Sequence, residues 1–506
     1  MARTPMKPSD VDYSDVQGLV RFGYGKMTEA SYAHLRVKDV MAARTWLRSA
    51  PVTCAVAMTP PPSTAMQVAF TAAGLEALGV PRSVLAGFSS EFLTGMTEEN
   101  RARRLGDVGN NAPSQWEWGY ATSVPHLMVM FFAEPGRLQP LIQDSRGNAW
   151  NAAFEEQRWL GTADLDGVEP FGFADGISQP QIDWERQRDV TRPQIDYSNV
   201  VALGEFLLGY SNEYNKYTDR PLIGADSSDA SGLPAAEDVP GKKDIGRNGT
   251  YLVMRQLRQD VRGFWQFINQ QAGGNPAEAD KLAAAFVGRT RAGDPLVPTQ
   301  EQPIPGVGPD PEQIRQNQFT FAKDPMGARC PFGAHVHRQN PRNTDYPGRP
   351  TGLAKLVTML GFGPGGFRDD LMSPVRFHRI LRRGREYGSG LSPADALAPS
   401  RSTDPDEHGL HFICLNANIS RQFEFLQNAW TMNTKFSGLT GESDPLVGNR
   451  EPIAGCPTTA DFTLQKNDGL RRRLSGLPQF ITVRGGAYFF LPGLAALRYF
   501  ARAENR

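Results

Sequence analysis

Three times along this chain, twice before the middle and once after it, a run of strand-forming residues passes directly into a segment with helical spacing, and this repeated unit limits the possible folds more than any other feature. In the first half, QGLVRFGYGKMTEASYAHLRV reads as strand material. DVMAARTWLRSA follows with apolar residues at helical spacing and Asp39 placed to cap it. MQVAFTAAGLEALGV repeats the strand-to-helix step, and PHLMVMFFA is a short continuous apolar run of the kind that forms a buried strand. After the middle, GTYLVMRQLRQD is a strand candidate and VRGFWQFINQQ its following helix. Units of this kind in both halves imply a duplicated α+β architecture.

The 506 residues are enough for two or more cores of ordinary domain size. IGADSSDASGLPAAEDVPGKKDIGRNG is rich in Gly, Ser, Pro and Asp, has little apolar surface to bury, and reads as a loop or connection between the halves. RAGDPLVPTQEQPIPGVGPDPEQ is a long Pro-rich excursion of the type that frames a site. The 54 basic residues balance the 54 acidic ones, so no whole-molecule field favours nucleic acid or an anionic membrane. Cys54, Cys330, Cys414 and Cys456 lie far apart with no CxxC spacing, which reads as scattered reduced thiols rather than a zinc or iron–sulfur site. No stretch approaches the ~20 apolar residues needed to span a bilayer. MARTPMKPSDVDYSD lacks the apolar core of a secretory signal, so the expected location is cytoplasmic.

Three segments concentrate reactive side chains. In FGFADGISQP, Asp175-Gly176 is a turn pair, and the apolar residues before it and Pro180 after it hold the turn where an aspartate can act as acid or base. In RCPFGAHVHRQNPR, His335 and His337 are two apart; they would share one strand face but point in nearly opposite directions on a helix. Either imidazole can ligate haem iron, with a nearby arginine pairing a propionate. In FHRILRRGREYG, Arg379, Arg382, Arg383 and Arg385 crowd together; most such arginines solvate a face, but one aimed into an apolar cavity stabilises charge on a bound oxygen or peroxide. No GxxxxGK[ST] loop accompanies them to suggest phosphate chemistry.

FADGIS, then CPFGAH with NPR, then ILRRG with YG, in this order, resemble the haem-site motifs of dye-decolourising peroxidases. GLHFICLNANISRQFEFLQNAW and QGLVRFGYG extend the likeness over most of the chain, closest to the longer bacterial and fungal members. The resemblance implies two ferredoxin-like α+β domains with antiparallel sheets, of the dimeric α+β barrel-like superfamily: residues 1–215 with the distal aspartate loop, and 216–506 binding haem. It implies one haem b per chain, with His335 as the proximal iron ligand. Asp175, in Gly172-Phe173-Ala174-Asp175-Gly176, and Arg382 are placed on the distal side, with Gly176 and Ile177 beside the haem. Arg342 of NPR resembles the propionate partner, Leu410 and Phe412 the lining of the distal cavity, and Asp444 in SGLTGESDPLVG the carboxylate that holds the proximal imidazole. His411 falls on the opposite strand face from Leu410 and Phe412, and His337 has no role to inherit.

The implied activity is peroxidation, with hydrogen peroxide as oxidant and dyes, phenols and other aromatics as donors. Arg382 would polarise the peroxide and Asp175 would move its proton. A carboxylate ionises near ~3.9 against ~6.5 for the histidine other peroxidases use, so an acidic optimum is expected. Bulky donors do not fit a cavity lined by Leu410 and Phe412, so electrons are expected to enter through surface Tyr or Trp, with Tyr387, close in sequence to Arg382, the first candidate. Two other readings differ in kind. A haem-handling protein with incidental peroxidase activity needs the ligand but not Asp175 and Arg382, and a phosphate-binding α+β enzyme shows no Soret band. Nucleic acid and membrane are not expected partners, and association of such sheets into a homo-oligomer is a fold-level analogy.

Overall fold

The strand–helix repeats build one antiparallel sheet of nine strands in a computed structural model that describes residues 11–189, 197–343, 374–399, 407–453, 456–467 and 469–502. The first half supplies β1 (Glu29–Val37), α1 (Val40–Ser49), β2 (Thr64–Phe70), β3 (Leu127–Ala133), α2 (Leu138–Ser145), α3 (Asn148–Ala153) and β4 (Phe154–Gly161). The second supplies β5 (Thr250–Gln259), α4 (Val261–Gln271), α5 (Pro276–Val287), α6 (His335–Gln339), β6 (Leu381–Arg382), β7 (Arg385–Tyr387), β8 (Gly409–Asn416), β9 (Ile481–Leu491) and α7 (Leu494–Phe500). Across the sheet the order is β6-β8-β5-β9-β2-β3-β1-β4, with β7 also on β8. Because β6 and β7 pair with successive stretches of β8, they act as one interrupted strand. Read back from β4, the two halves run β4-β1-β3-β2 and β9-β5-β8-β6/β7, each the fourth, first, third and second strand of its own set. The halves meet at one antiparallel pair, Phe490 of β9 opposite Phe70 of β2.

Strand alternation divides the apolar residues into two layers, and both layers run through both halves. Ala33, Val129, Val253 and Phe490 lie in one with Trp46 and Leu47 of α1, Phe264 and Trp265 of α4 and Leu497 of α7. Tyr32, Met130, Leu252 and Phe489 lie in the other, covered by Val20, Leu203, Phe206 and Tyr210. Asp39 caps α1 as its position suggests, its carboxylate accepting the Ala42 N–H at 2.7 Å.

Two local readings are corrected. The strand expected from Gln17 begins only at Glu29, because Leu19–Phe22 is a short helix and Gly23 and Tyr24 both take left-handed backbone, with φ of 64° and 57°, turning the chain. The Gly/Ser/Pro/Asp-rich segment buries more than its composition implies. Leu222–Gly224 pairs with Lys242–Asp244, Leu233 and Ile245 are buried, and Asp244 forms a buried ion pair with Arg220. The Pro-rich excursion does border the functional region: the Arg291 carbonyl accepts the Ala174 N–H, and Ile304 packs with Tyr197 and Trp430.

Candidate active site

Antiparallel register sets Leu410 opposite Leu257 and Phe412 opposite Arg255, so these side chains emerge on one face of the sheet. With Gln259, Ile481 and Val483 they floor a cavity of about 290 Å³. The remaining walls come from segments far apart in sequence: the Asp175 loop, α6, the arginines of 379–382, and the stretch from Phe423 to Val447. Of the residues singled out in the sequence, Asp175, Ile177, His335, Arg342, Arg382, Leu410 and Phe412 line this cavity. Gly176 does not, and its φ of 71° makes it the left-handed residue that lets the loop turn after Asp175.

His335 opens the five-residue helix α6 and keeps 29% of its side-chain surface open, while its Nδ1 lies 2.9 Å from Oδ2 of Asp444, which is fully buried. The other oxygen of Asp444 accepts the N–H groups of Leu446 and Val447 at 2.9 and 3.0 Å, a local turn that fixes the carboxylate behind the imidazole. Burial works against the charge of both partners. Their mutual attraction and hydrogen bond outweigh it, raising the imidazole above its ordinary range and holding the carboxylate well below its own. His337, two residues on, points away as helical geometry requires. It stacks on Phe321 with ring centroids 3.7 Å apart, sets Nδ1 3.2 Å from the Cys330 carbonyl, and is pushed by burial down to about 4.

Across the cavity, Arg382 Nη1 meets Asp175 Oδ1 at 3.2 Å and Nη2 donates to the Ser178 carbonyl at 3.2 Å. The expectation that most of the neighbouring arginines solvate a face does not hold. Arg379 lines the cavity, while Arg383 donates to the carbonyls of Leu19 and Val20 and Arg385 to that of Tyr24, tying the edge of the sheet to the short helix and turn of residues 19–24.

Three further charged residues bear on the chemistry of this wall and were not singled out as site groups from sequence. Arg289 and Arg379 join Arg342 at one end of the cavity. Arg289 and Arg342 donate to backbone carbonyls, Arg379 to the Tyr197 phenol and Asn199, and none has a carboxylate partner among the described residues. Arg342 lies over the Phe319 ring at 3.7 Å, and its Nε is buried with no partner. Burial, reinforced by the crowding of like charges, pushes Arg289 down to about 9 and Arg342 to about 10. Arg379 sat in a recognised cluster, but nothing local marks Arg289. The third residue, Glu169, is on the wall beside Asp175 and is pushed up to about 7 by burial.

Tyr387 is not on the cavity wall; it stacks on His411 at 4.5 Å and donates to Glu407 at 2.6 Å. A different aromatic series does reach the wall. Tyr214, 45% exposed, stacks on Phe377 at 4.1 Å; the next residue, His378, stacks on Phe425 at 3.6 Å and packs against Trp430, and both His378 and Trp430 line the cavity.

No family model matches the chain. Among curated proteins it is similar to the dye-decolorizing peroxidase msp1 of Mycetinis scorodonius, 29% identical over 453 residues that cover 86% of this chain and 76% of that one. It is 28% identical to the multifunctional dye peroxidase DyP2 of an Amycolatopsis species, covering 77% of this chain and 74% of the relative. The dye-decolorizing peroxidase AauDyP1 of Auricularia auricula-judae is 26% identical over 97% of this chain and 87% of its own. Among solved structures, a fungal DyP-type peroxidase from Auricularia auricula-judae superposes with a TM-score of 0.72 at 24% identity, covering 98% of this chain and all of that one.

Proposed function

We propose, from the premise that this chain belongs to the dye-decolourising peroxidase family, that it holds one haem b in this cavity and uses hydrogen peroxide to oxidise dyes, phenols and other aromatic donors in one-electron steps. One observation carries the reading: His335 backed by Asp444 on one wall, and Arg382 paired with Asp175 on another, lie on the same cavity. The relatives are named for their action on dyes, and one structure of this fold is a complex with 2,6-dimethoxyphenol.

The residues suit haem on three counts. The floor and walls include Ile177, Leu257, Leu410, Phe412, Phe423 and Leu446, an apolar surface for a flat macrocycle. With Nδ1 committed to Asp444, His335 offers its other ring nitrogen to iron, and the carboxylate behind it strengthens that donor. Arg289, Arg342 and Arg379 gather positive charge without a carboxylate, as a pair of propionates would require. When bound, haem supplies the iron that takes peroxide and the reversible one-electron chemistry.

The chain's own groups do the rest. Arg382, always charged, polarises the peroxide and steadies the departing oxygen. Asp175, held by Arg382 through Oδ1, takes the proton from the inner oxygen and returns it to the outer one. Leu410 and Phe412 keep bulky donors out of the distal space. We read the two half-sheets, with their common strand order, as ferredoxin-like domains of residues 1–215 and 216–506, the first lending the Asp175 loop to a haem held by the second.

His335→Ala should abolish the Soret band of the purified protein; normal haem loading in that variant would overturn the ligand assignment. Arg382→Leu should keep haem but slow the reaction with peroxide by ~10²–10³-fold, the usual effect of removing one preorganised donor. An unchanged rate with steady dye turnover would exclude a distal role for Arg382.

A further inference from the structure

We infer that Glu169 is a positioning residue for Asp175, its carboxylate fixing the loop that presents Asp175 to Arg382; this rests on the reading of Asp175 as the proton-transfer group. Val168 and Ala174 form an isolated antiparallel bridge, and the residues between them make a tight turn. Within it the Gly172 N–H donates to the Glu169 carbonyl at 2.7 Å and the Glu169 N–H to the Phe173 carbonyl at 2.8 Å. The N–H groups of Phe171 and Phe173 remain. Both turn back onto the Glu169 side chain, Phe171 to Oε2 and Phe173 to Oε1, each at 3.0 Å.

The same carboxylate joins the turn to the sheet, because Oε2 also accepts Gln259 Nε2 at 2.7 Å. Gln259 ends β5, where its own N–H donates to the His408 carbonyl, so the anchor is rigid. Other contacts with the tip, from Trp265 Nε1 to the Phe171 carbonyl and from Arg291 Nε to the Gly172 carbonyl, satisfy acceptors only. Glu169 is thus the group that satisfies these two amides. Two residues beyond Phe173 the chain reaches Asp175, whose N–H donates to the Gly167 carbonyl at 3.0 Å and whose carboxylate meets Arg382.

Three donors converge on this side chain, which calls for a group that only accepts, the ionised carboxylate present above its titration near 7. A glutamine has one acceptor oxygen and would set its NH₂ against one of the two backbone N–H groups. Gln259 can rotate its own amide to compensate, but a backbone N–H cannot. The loop tip must then shift, and a displacement of ~1 Å in a reacting group costs up to ~10²-fold in rate.

The test uses haem-loaded full-length protein at about pH 8, above the raised titration of Glu169, and follows the Soret change on mixing with peroxide. Glu169→Gln is expected to lower the second-order rate constant with peroxide ~10–100-fold, without changing kcat/KM for the reducing donor. In an Asp175→Asn background the same substitution should add less than about two-fold, because the group it positions is gone. Gln259→Met, which keeps Glu169 but removes its brace, should show a smaller loss with the same dependence on Asp175, and it decides the matter if Glu169→Gln does not load haem. Equal losses in both backgrounds, or none with Asp175 present, would overturn the inference. If Asp175→Asn alone reacts at the wild-type rate, the assignment of Asp175 fails first and that of Glu169 falls with it.

Discussion

Replacing Asp444 by asparagine isolates what the buried carboxylate does for His335. In the wild-type protein Oδ1 accepts two backbone N–H groups, from Leu446 and Val447, while Oδ2 faces His335 Nδ1. An asparagine has one acceptor oxygen; the two backbone donors at 2.9 and 3.0 Å are fixed, whereas Gln339 Nε2, at 3.4 Å from Oδ2, can turn its amide oxygen to the new NH₂, so the oxygen stays with the turn and the NH₂ faces the imidazole. Nδ1 must then accept, which moves the ring proton to the nitrogen facing the cavity and removes the lone pair iron needs. Loss of such an outer partner typically costs 10–100-fold in metal affinity, or ~1.4–2.8 kcal/mol. The fold should be little affected because the turn keeps its bonds. Asp444→Ala behaves differently: it leaves the two backbone N–H groups buried and unpaired at ~1–3 kcal/mol each, so ~2–6 kcal/mol of stability goes as well. Titrating haem into the apoproteins while following the Soret band, with thermal melting of the same samples, separates the effects. An asparagine variant with wild-type haem affinity and ferric spectrum, or one that melts as early as the alanine variant, would refute this account.

His337 is buried neutral, with its titration pushed down to about 4, so the folded state holds fewer protons than the unfolded chain between about pH 6.5 and 4. Its contribution is intact above ~6.5 and lost as pH falls through that window, up to ~3 kcal/mol. Glu169 and Glu205, both raised to about 7 by burial, pull the other way, so the informative quantity is the stability difference between wild type and His337→Phe. That difference should move against the wild type by up to ~3 kcal/mol on going from pH 7 to pH 4 in denaturant titrations; a constant difference would show that His337 is not buried neutral. Tyr214→Ser interrupts the stacked series from the surface to the cavity wall, and it should slow turnover of dyes too bulky to enter while the peroxide reaction proceeds as before. Undiminished turnover of such a dye would exclude that route.

Local pattern determined a great deal. The apolar run at Leu127–Ala133, the strand at Thr250–Gln259 and the helix capped by Asp39 follow from periodicity and capping, which act within a few residues. The motif segments brought Asp175, His335 and Arg382 forward, and the resemblance to a known family chose His335 over His337, a choice that spacing alone left open. Where the two histidines point was settled by α6: helical geometry turns His335 to the cavity and His337 against Phe321. The sequence also marked four arginines without saying which of them met solvent, and in the structure Arg379 and Arg382 reach the cavity while Arg383 and Arg385 bind carbonyls of residues 19–24.

What tertiary structure alone decided is the cavity itself. Asp175 and Arg382 are 207 positions apart and His335 and Asp444 are 109, and no rule of local spacing links them. Arg289 carries no mark in its own segment; it joins the site because Arg342 and Arg379 gather at the same end of the cavity. Glu169 reads locally as a loop carboxylate, and it becomes a brace only where β5 ends with Gln259 beneath it. Periodicity determines which face a residue takes, but the register of distant strands determines what that face meets.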